Sequence, residues 1–457
     1  MTRFILTADE MRAAEAAVIA AGTPGLTLME RAGAAAAESI WRFAGPLPVL
    51  VLCGPGNNGG DGYVIARRLA GRGIAARVAA LAEPRSADAK AARAAWTGPV
   101  ETLDEASPAP LLVDALFGTG LARPLDASSS LRLRALAGAA RVKVAVDLPS
   151  GVATDDGGIL SPVSDFDLTI AFAALKPSHL LQPAARHMGR TVVADIGIAA
   201  RSRLRVIARP RLRRPGPDDH KYKRGYLLVV GGAMPGAAAL AAGAAARAGA
   251  GYVALVGGGG SVPDAVVRRP PAELDEALAD PRLNAVLVGP GLGRQTEARE
   301  TLERALSSRH PAIVDGDALR LMADSVVPLS RAAPCIATPH AGEFEALFGD
   351  KGSKVEAARA AAGRTGMTIV YKGADTVVAS PDGEAAIGAP APHWLAGAGT
   401  GDVLAGIIAA QCAAGLGPFE AACAGVWLHG RAAELAGPAL IADDLPDRLP
   451  AAFAECL

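Results

Sequence analysis

A glycine-rich segment in the C-terminal half has the residues and spacing of an anion-binding turn. It runs from Ala396 to Gly406 and continues into an alanine-rich stretch that we expect to be helical. Free N–H groups and the helix dipole at such a junction bind phosphate. Asp402 follows Gly401 directly, so its carboxylate would lie beside that phosphate and could accept a proton from a hydroxyl as phosphate is transferred. A helix cap is the alternative role for Asp402, but the demanding glycine spacing favours catalysis.

Three loops upstream of this turn also follow predicted strands. The segment Lys372-Gly373-Ala374-Asp375-Thr376 could present a positive charge and backbone amides to a nucleotide phosphate. Thr338 to Glu343 and Gly289 to Gly293 occupy equivalent positions after other strands. His340 alone would be assigned as a packed or capping histidine, but the surrounding Thr-Pro-His-Ala-Gly-Glu pattern favours a functional role. The sequence contains no GxxxxGK[ST] motif, which argues against a P-loop enzyme.

The N-terminal half carries a second set of candidate loops. Gly54 to Gly62 forms a glycine-rich strand-to-helix turn with two asparagines and an aspartate. It suits a phosphate site, although a plain tight turn is the alternative. Asp114 and Asp147 each end a predicted strand. Either aspartate alone is best explained as a cap, but three such loops at the carboxyl ends of one sheet predict a shared ligand crevice.

Short apolar runs separated by helical stretches predict the elements that must position these loops. Fully apolar strands spaced in this way fit parallel sheets covered by helices on both faces. We therefore expect two α/β domains, the first a doubly wound sheet. The arginine-rich segment from 201 to 214 precedes Pro215 and Pro217, and it is interpreted as a solvated linker face rather than a phosphate or nucleic-acid site. The predicted domains are 1–214 and 215–457.

Composition narrows the classes of function. The 457 residues include 46 basic and 46 acidic side chains, so no strong attraction to nucleic acid or anionic membranes is expected. No apolar run is long enough for a membrane span, and no secretory signal is found, so the expected location is cytoplasmic. The five cysteines are scattered and are expected to be unpaired thiols, neither a disulfide framework nor a zinc site.

The first domain resembles the N-terminal domain of the NAD(P)H-hydrate repair enzymes over roughly residues 1 to 210. The resemblance rests on Leu28 to Gly33, Gly56 to Gly62, Asp114 with Phe117 to Pro124, and Val146 to Gly151. It implies a Rossmann-like sheet that interconverts the R and S forms of hydrated NADH and NADPH (NADHX and NADPHX).

The same resemblance implies which residues do the work in this domain. A potassium ion would lie near Asn58, Asp114 and Ser150, whose hard oxygen ligands suit an alkali cation. Asp147 would face the substrate and give and take a proton during epimerisation. The implied substrate-binding residues are Asn57, Asn58, Gly59, Gly60, Asp61, Gly118, Thr119, Gly120, Leu121, Ala122, Arg123 and Pro124.

The second domain resembles the ADP- or ATP-dependent NAD(P)H-hydrate dehydratases of the ribokinase-like superfamily over roughly residues 216 to 457. That likeness implies that Gly401 and Lys372 to Thr376 bind the adenine nucleotide. Ala237, Gly291, His340 and Asp402 would face the hydrated dinucleotide, with Asp402 as the base. The reaction implied is phosphorylation of the hydrate hydroxyl followed by loss of phosphate.

The loop Gly231 to Ala237 departs from the family pattern, because it lacks the usual serine or threonine hydroxyls. The main alternative is a ribokinase-like kinase for a vitamin precursor with a non-catalytic N-terminal binding domain. The fused first domain argues against that alternative. We expect ADP as co-substrate, magnesium accompanying the nucleotide phosphates, a homo-oligomer, and neither nucleic-acid nor membrane partners.

Overall fold

The computed structural model describes residues 3–324, 331–349 and 352–457. The chain divides into two compact units, with the division between Ser202 and Arg203. Each unit is built around its own parallel or mostly parallel sheet. The prediction of two α/β domains is therefore confirmed.

The first domain alternates strands and helices in chain order. Its strands are β1 (Val49–Cys53), β2 (Ala76–Ala80), β3 (Val100–Thr102), β4 (Leu111–Ala115), β5 (Val142–Val146), β6 (Leu168–Phe172) and β7 (Arg190–Ala194). Its helices are α1 (Ala8–Ala20), α2 (Gly25–Ala44), α3 (Asn57–Ala70), α4 (Ala87–Ala94) and α5 (Ala127–Ala139), with short 3₁₀ turns at Pro177–His179 and Ala184–His187.

The seven strands form one parallel sheet in the order β3-β2-β1-β4-β5-β6-β7. This is the doubly wound order: β2 and β3 are added on one side of β1, and β4 to β7 are added on its other side, so the order of the strands reverses between β1 and β4. The central strands β1 and β4 are buried along their whole length, as expected where helices cover both faces. Ligands of such sheets bind beyond the carboxyl ends of the strands, close to this reversal.

The second domain contains the longer sheet. Its strands are β8 (Leu204–Val206), β9 (Tyr226–Val230), β10 (Tyr252–Val256), β11 (Val266–Arg269), β12 (Ala285–Val288), β13 (Ala312–Val314), β14 (Cys335–Ala337), β15 (Thr368–Tyr371), β16 (Val377–Ala379) and β17 (Ala385–Ile387). Its helices are α6 (Pro235–Arg247), α7 (Leu274–Ala279), α8 (Thr296–Ser307), α9 (Asp317–Ala323), α10 (Ala341–Phe348), α11 (Lys354–Thr365), α12 (Thr400–Ala413), α13 (Pro418–Ala436) and α14 (Asp444–Ala454).

The ten strands are ordered β11-β10-β9-β12-β13-β14-β15-β16-β17-β8, and only β16 pairs antiparallel to its neighbours. Helix α12 crosses the domain core and is buried along nearly its whole length. A Cβ atom at Gly406 would lie 2.1 Å from the carbonyl oxygen of Ala241 in α6. The small residues of these two helices thus bring their backbones into contact, which packs the middle of α12 closely against α6.

The domain boundary differs from the predicted division after residue 214. Strand β8 belongs to the second unit, where Leu204 pairs with Ala385 and Val206 with Ile387 of β17. Leu212 also donates its N–H to the carbonyl of Cys456 at 2.8 Å. The arginine-rich segment is therefore partly a strand of the second domain, because short apolar positions alternate with its arginines.

None of the helices in the described ranges combines the length and hydropathy required to cross a membrane. All five cysteines are buried free thiols, as predicted.

Candidate active sites

The candidate loops of the first domain converge around Gly118. A Cβ atom at this glycine would lie 2.8 Å from Asp147 Oδ2 and 3.0 Å from Asn58 Oδ1. Gly118 follows β4, Asp147 follows β5, and Asn58 lies in the first turn of α3, which follows β1. The polar residues that follow the neighbouring strands β1, β4 and β5 thus lie close together, as the order of these strands in the sheet requires.

Asp114 and Ser150 are hydrogen-bonded to each other next to Gly118, since Ser150 Oγ also accepts from the N–H of Phe117 at 2.9 Å. Ser150 donates its backbone N–H to Asp114 Oδ2 at 2.9 Å and its hydroxyl to Asp114 Oδ1 at 2.7 Å. Asp114 is fully buried, and burial raises the pKa of its carboxyl, although the bonds from Ser150 and Leu116 oppose that shift. Asn58 contributes a buried Nδ2 that has no hydrogen-bond partner among the described residues.

Asp147 is held by donors on both of its carboxylate oxygens. Oδ2 accepts from the N–H and hydroxyl of Thr119 at 2.7 and 2.5 Å, and Oδ1 accepts from Lys176 Nζ at 2.5 Å. Burial raises the pKa of Asp147, but the Lys176 ammonium and these hydrogen bonds outweigh burial and lower the pKa. The Asp147 backbone adopts φ 65°, a left-handed conformation that is uncommon outside glycine.

His179 fixes the backbone beside this pair. Its Nδ1 accepts from the N–H of Lys176 at 2.8 Å, and its Nε2 donates to the carbonyl oxygen of Asp147 at 2.7 Å. Burial and the nearby ammonium lower the pKa of His179 to about 4. The ring is therefore neutral at neutral pH, as this arrangement of one accepted and one donated bond requires.

Two more carboxyl groups are electrostatically coupled to Asp147. Burial first, and then the charges of Asp147 and Glu15, raise the pKa of Asp61 well above its ordinary value. Burial and the charge of Asp147 likewise raise the pKa of Glu15. The site therefore combines a carboxylate paired to an ammonium, whose pKa is lowered, with two carboxyl groups whose pKa values are raised.

The remaining residues of the two predicted substrate loops differ in exposure. Asn57 starts α3 and accepts from the Ser86 hydroxyl at 2.6 Å through Oδ1, whereas Gly59 and Gly60 are buried in the same turn. Gly120 adopts φ 124°. The residues from 121 to 124 lie at the surface, where Ala122, Arg123 and Pro124 are exposed and Leu121 is half-buried.

In the second domain the glycine-rich turn leads directly into α12. Gly399 precedes the helix with φ 85°, and Asp402 is the third helical residue. No side chain caps this helix start, so the capping role considered for Asp402 is not the one adopted. Burial, followed by the charge of Asp315, raises the pKa of Asp402 to about 6 even though Lys372 opposes the shift.

Lys372 connects this turn to the neighbouring strands. Its Nζ donates to Asp315 Oδ1 at 2.6 Å and lies 3.4 Å from the position of a Cβ atom at Gly401. Thr338 also donates to Asp315 Oδ1, at 2.7 Å. Burial lowers the pKa of Lys372, but the Asp315 carboxylate outweighs burial and raises it. A fixed ammonium charge therefore stands at the mouth of α12, next to Asp402.

A cavity of about 410 Å³ opens beside this ammonium. Among the residues that line it are four of the five in the predicted nucleotide loop (Lys372, Gly373, Ala374 and Thr376) together with Thr400 and Gly401. Its volume falls in the range of small-molecule sites. The fifth loop residue, Asp375, instead accepts from Lys354 Nζ at 2.5 Å, so its side chain anchors the loop to α11.

The other residues predicted to contact the substrate in this domain are His340, Gly291 and Ala237, and they do not line the cavity beside Lys372. His340 caps α10 through a reciprocal pair of bonds with Glu343 while most of its side chain remains exposed, so the alternative capping role is present in the structure. Gly291 adopts φ 63°, and a Cβ atom there would lie 2.2 Å from the carbonyl oxygen of Met234 and 3.1 Å from Cβ of Ala237. The loops carrying Gly291 and Ala237 are thus adjacent.

Several residues of these sites were not found from the sequence. In the first domain they are Glu15, Lys176 and His179; in the second they are Asp315, Lys354 and His429. Asp315 directly follows the apolar strand β13, and Lys176 lies four residues after the end of the apolar strand β6; this position was the available signal. The others lie on helices or turns without a glycine-rich motif, so only the folded structure reveals their neighbours.

Fold and sites together define a fusion of two α/β enzyme domains, each with a polar site beyond the carboxyl ends of its strands. Comparison with known proteins agrees with this division. A family described as "YjeF-related protein N-terminus" matches residues 25–178, and a family described as "NAD(P)H-hydrate dehydratase" matches residues 227–451. A solved ribokinase-like superfamily protein from Enterococcus faecalis V583 covers 56% of this chain and 98% of its own, with a TM-score of 0.50 and 22% identity, and it shares the fold of the second domain.

Full-length relatives identify the family. A bifunctional NAD(P)H-hydrate repair enzyme of Salinibacter ruber is 35% identical over 99% of this chain and 96% of the relative. Another from Thermofilum pendens is 37% identical over 90% of this chain and 87% of the relative. The chain belongs to the family of bifunctional NAD(P)H-hydrate repair enzymes. These relatives support the predicted repair function over a vitamin-precursor kinase.

Proposed function

We propose that the first domain interconverts R- and S-NAD(P)HX and that the second dehydrates S-NAD(P)HX to NAD(P)H with ADP, releasing AMP and phosphate. The observation that carries this proposal is the placement of Asp402 and Lys372 at the mouth of α12, beside a cavity lined by the nucleotide loop. Family membership supports the same pair of activities.

In the second domain the chemistry begins at the hydroxyl of the hydrate. Asp402 accepts the hydroxyl proton while the oxygen attacks the terminal phosphorus of ADP, and AMP leaves with the bridging oxygen. The C–O bond then breaks with its electron pair leaving on inorganic phosphate, the adjacent carbon loses a proton to phosphate or solvent, and the dihydropyridine double bond is restored. Lys372 and the N–H groups of the Gly399–Gly401 turn balance the phosphate charge. Ala237, Gly291 and His340 stay proposed contacts to the dinucleotide.

In the first domain Asp147 is proposed to face the hydrated carbon. Its contact with Lys176 supports a role in proton exchange, because an ammonium proton lies in a 2.5 Å hydrogen bond to the carboxylate. The loops Asn57–Asp61 and Gly118–Pro124 border this carboxylate through Asn58 and Gly118. They remain the proposed substrate-binding segments.

A potassium ion is proposed to bind near Asn58, Asp114 and Ser150. The donor set fits such an ion, because Asp114 is a fully buried carboxylate that accepts hydrogen bonds from the uncharged N–H groups of Leu116 and Ser150 and from the Ser150 hydroxyl. A bound cation would compensate the cost of burying that charge. When bound, the ion would supply a fixed positive charge beside the substrate loops.

Magnesium is proposed to accompany the nucleotide in the second domain, held chiefly by phosphate oxygens and water. We also propose that the protein forms a homo-oligomer, that it binds neither nucleic acid nor membranes, and that it is cytoplasmic.

The test is to incubate the protein with a mixture of R- and S-NADHX and ADP and to follow the recovery of NADH absorbance, in parallel with an Asp402→Ala variant. Complete conversion by the wild type and none by the variant supports both activities and the role of Asp402. Conversion of about half of the mixture would contradict an active epimerase. No recovery with ADP or ATP would contradict the dehydratase.

A further inference from the structure

His429 presents an unpartnered nitrogen at the wall of the nucleotide cavity. His429 lies on α13 and is only 9% exposed, and it is among the residues that line the 410 Å³ cavity. Its Nε2 atom is buried and has no hydrogen-bond partner among the residues that the structure describes. A buried polar atom left in this state costs free energy unless a ligand or water satisfies it.

The surroundings of His429 keep its ring uncharged. Burial lowers the pKa of His429 to about 4, an effect that the nearby Thr400 backbone opposes and the Lys372 charge reinforces. The groups that act on the ring are thus the Thr400 backbone at the start of α12 and the Lys372 ammonium just after β15. At neutral pH the imidazole is neutral, so Nε2 is either a donor or an acceptor according to the tautomer.

The walls of the cavity indicate which part of a nucleotide lies near this nitrogen. Lys372 and Gly401 form the end suited to phosphates, whereas Leu395, Leu404 and Val426 provide apolar surface for a flat base. His429 lines the cavity together with Lys372 and Thr400, and both of these residues act on its pKa, so it lies towards the phosphate end. The group between the phosphates and the base of a nucleotide is the ribose.

A ribose hydroxyl is also the group that matches a neutral imidazole in either tautomer. A hydroxyl both donates and accepts, whereas ionised phosphate oxygens only accept. We propose that Nε2 of His429 hydrogen-bonds a ribose hydroxyl of the bound adenine nucleotide and thereby selects ribonucleotides over deoxyribonucleotides. This inference rests on the nucleotide-binding function proposed above.

The experiment measures, by titration calorimetry, the dissociation constants of ADP, 2′-deoxy-ADP and 3′-deoxy-ADP. The wild type is expected to bind at least one deoxy analogue about tenfold more weakly than ADP, because the hydrogen bond is lost and Nε2 stays unsatisfied. His429→Leu keeps an apolar side chain of similar size and removes the bond. It is expected to bind ADP about tenfold more weakly and to lose the discrimination between ADP and that analogue.

Two further variants separate recognition from folding. His429→Gln places an amide near the position of Nε2 and should retain part of the discrimination. His310→Ala removes another buried histidine of the same domain, whose Nε2 instead contacts the Leu278 carbonyl at 3.1 Å, and it should leave the ratio of the dissociation constants unchanged. In turnover assays His429→Leu should raise KM for ADP about tenfold while kcat changes little.

Equal binding of all three nucleotides by the wild type would overturn the proposal, as would unchanged discrimination in His429→Leu. If the wild type binds no ADP at all, the proposed nucleotide-binding function fails along with it. The two failures are distinguishable because the first leaves ADP binding and NADH recovery intact.

Discussion

Lys176 and Asp147 form a buried ion pair with 2.5 Å between Nζ and Oδ1. The lysine side chain is 1% exposed and the aspartate side chain 9%. Because both charges are removed from water, neither is tolerated without the other. The pair also joins the ends of the adjacent strands β5 and β6, so it couples the stability of the first domain to the state of its candidate active site.

Substitution of Lys176 by methionine should therefore damage both stability and epimerisation. We expect a loss of about 3–5 kcal/mol in the free energy of unfolding, because a buried carboxylate is left without its counter-charge. Chemical denaturation measures this loss. The rate at which R-NADHX becomes available for dehydration measures epimerisation, and it should fall below detection.

The double substitution Lys176→Met with Asp147→Asn separates the two effects. Removing both charges should restore much of the stability, since no isolated charge remains buried. Epimerisation should stay lost, because the proposed carboxylate is absent. Normal epimerisation in the double variant would contradict the role of Asp147, whereas dehydration of S-NADHX serves as the internal control of folding in the second domain.

Gly118→Ala should reduce epimerisation without affecting dehydration. The added methyl group would lie 2.8 Å from Asp147 Oδ2 and 3.0 Å from Asn58 Oδ1, so one or both side chains must move. A displacement of this size in a catalytic group costs up to about 100-fold in rate. Initial rates with pure R-NADHX and excess second-domain activity give the epimerisation rate directly.

Gly138→Ala is the matched control for this steric prediction. Gly138 lies in α5, and a Cβ atom there would meet nothing within 4 Å. Alanine also has a higher helix propensity than glycine, so this variant should epimerise normally and unfold at the same or a slightly higher denaturant concentration. Equal rates for both alanine variants would show that Gly118 does not border the reacting groups.

The rate of dehydration should depend on the protonation of Asp402. Burial and the charge of Asp315 raise its pKa to about 6, and only the ionised carboxylate can accept a proton. The value of kcat/KM for S-NADHX should thus fall about tenfold per pH unit below pH 6 and level off above it, since this parameter reports the free enzyme. A flat profile between pH 5 and 7 would argue against Asp402 as the base.

Removing potassium should affect the first domain selectively. Asp114 is buried and forms no ion pair with the residues that the structure describes, so a bound cation would stabilise its ionised form. Replacing potassium by choline should lower epimerisation by about 10-fold or more, at least as much as disturbing the partners of a metal site does, while S-NADHX is still dehydrated. Asp114→Asn should epimerise slowly and show no response to potassium; a potassium response equal to that of the wild type would contradict the proposed site.

The sequence predicted the loops that carry glycines and strand-end aspartates, since turn chemistry and parallel-sheet geometry are local rules. Asp147, Gly118 and Asn58 meet as expected because three strands share one edge. Lys176 was missed because its partner lies 29 residues away along the chain, and a single lysine after an apolar strand carries no pattern. His429 was missed for a similar reason, as its helix is apolar and alanine-rich.

The strands β16 and β17 also escaped the sequence analysis, which anticipated parallel strands. Each has only three residues, and β16 runs antiparallel to both β15 and β17. Because β17 was not predicted, the domain boundary was placed after residue 214 instead of after Ser202. Without β17 there is no partner for β8, so the segment from Leu204 to Val206 looked like part of a charged linker.

The pairing of β8 with β17 determines where the gene for this chain can be divided. A cut after residue 214 would leave Leu204–Val206 on the wrong half and expose the backbone of Ala385–Ile387 as an unpaired edge, which invites aggregation. A cut after residue 202 keeps that strand with its sheet. We therefore expect separately expressed domains to remain soluble when the chain is divided after residue 202.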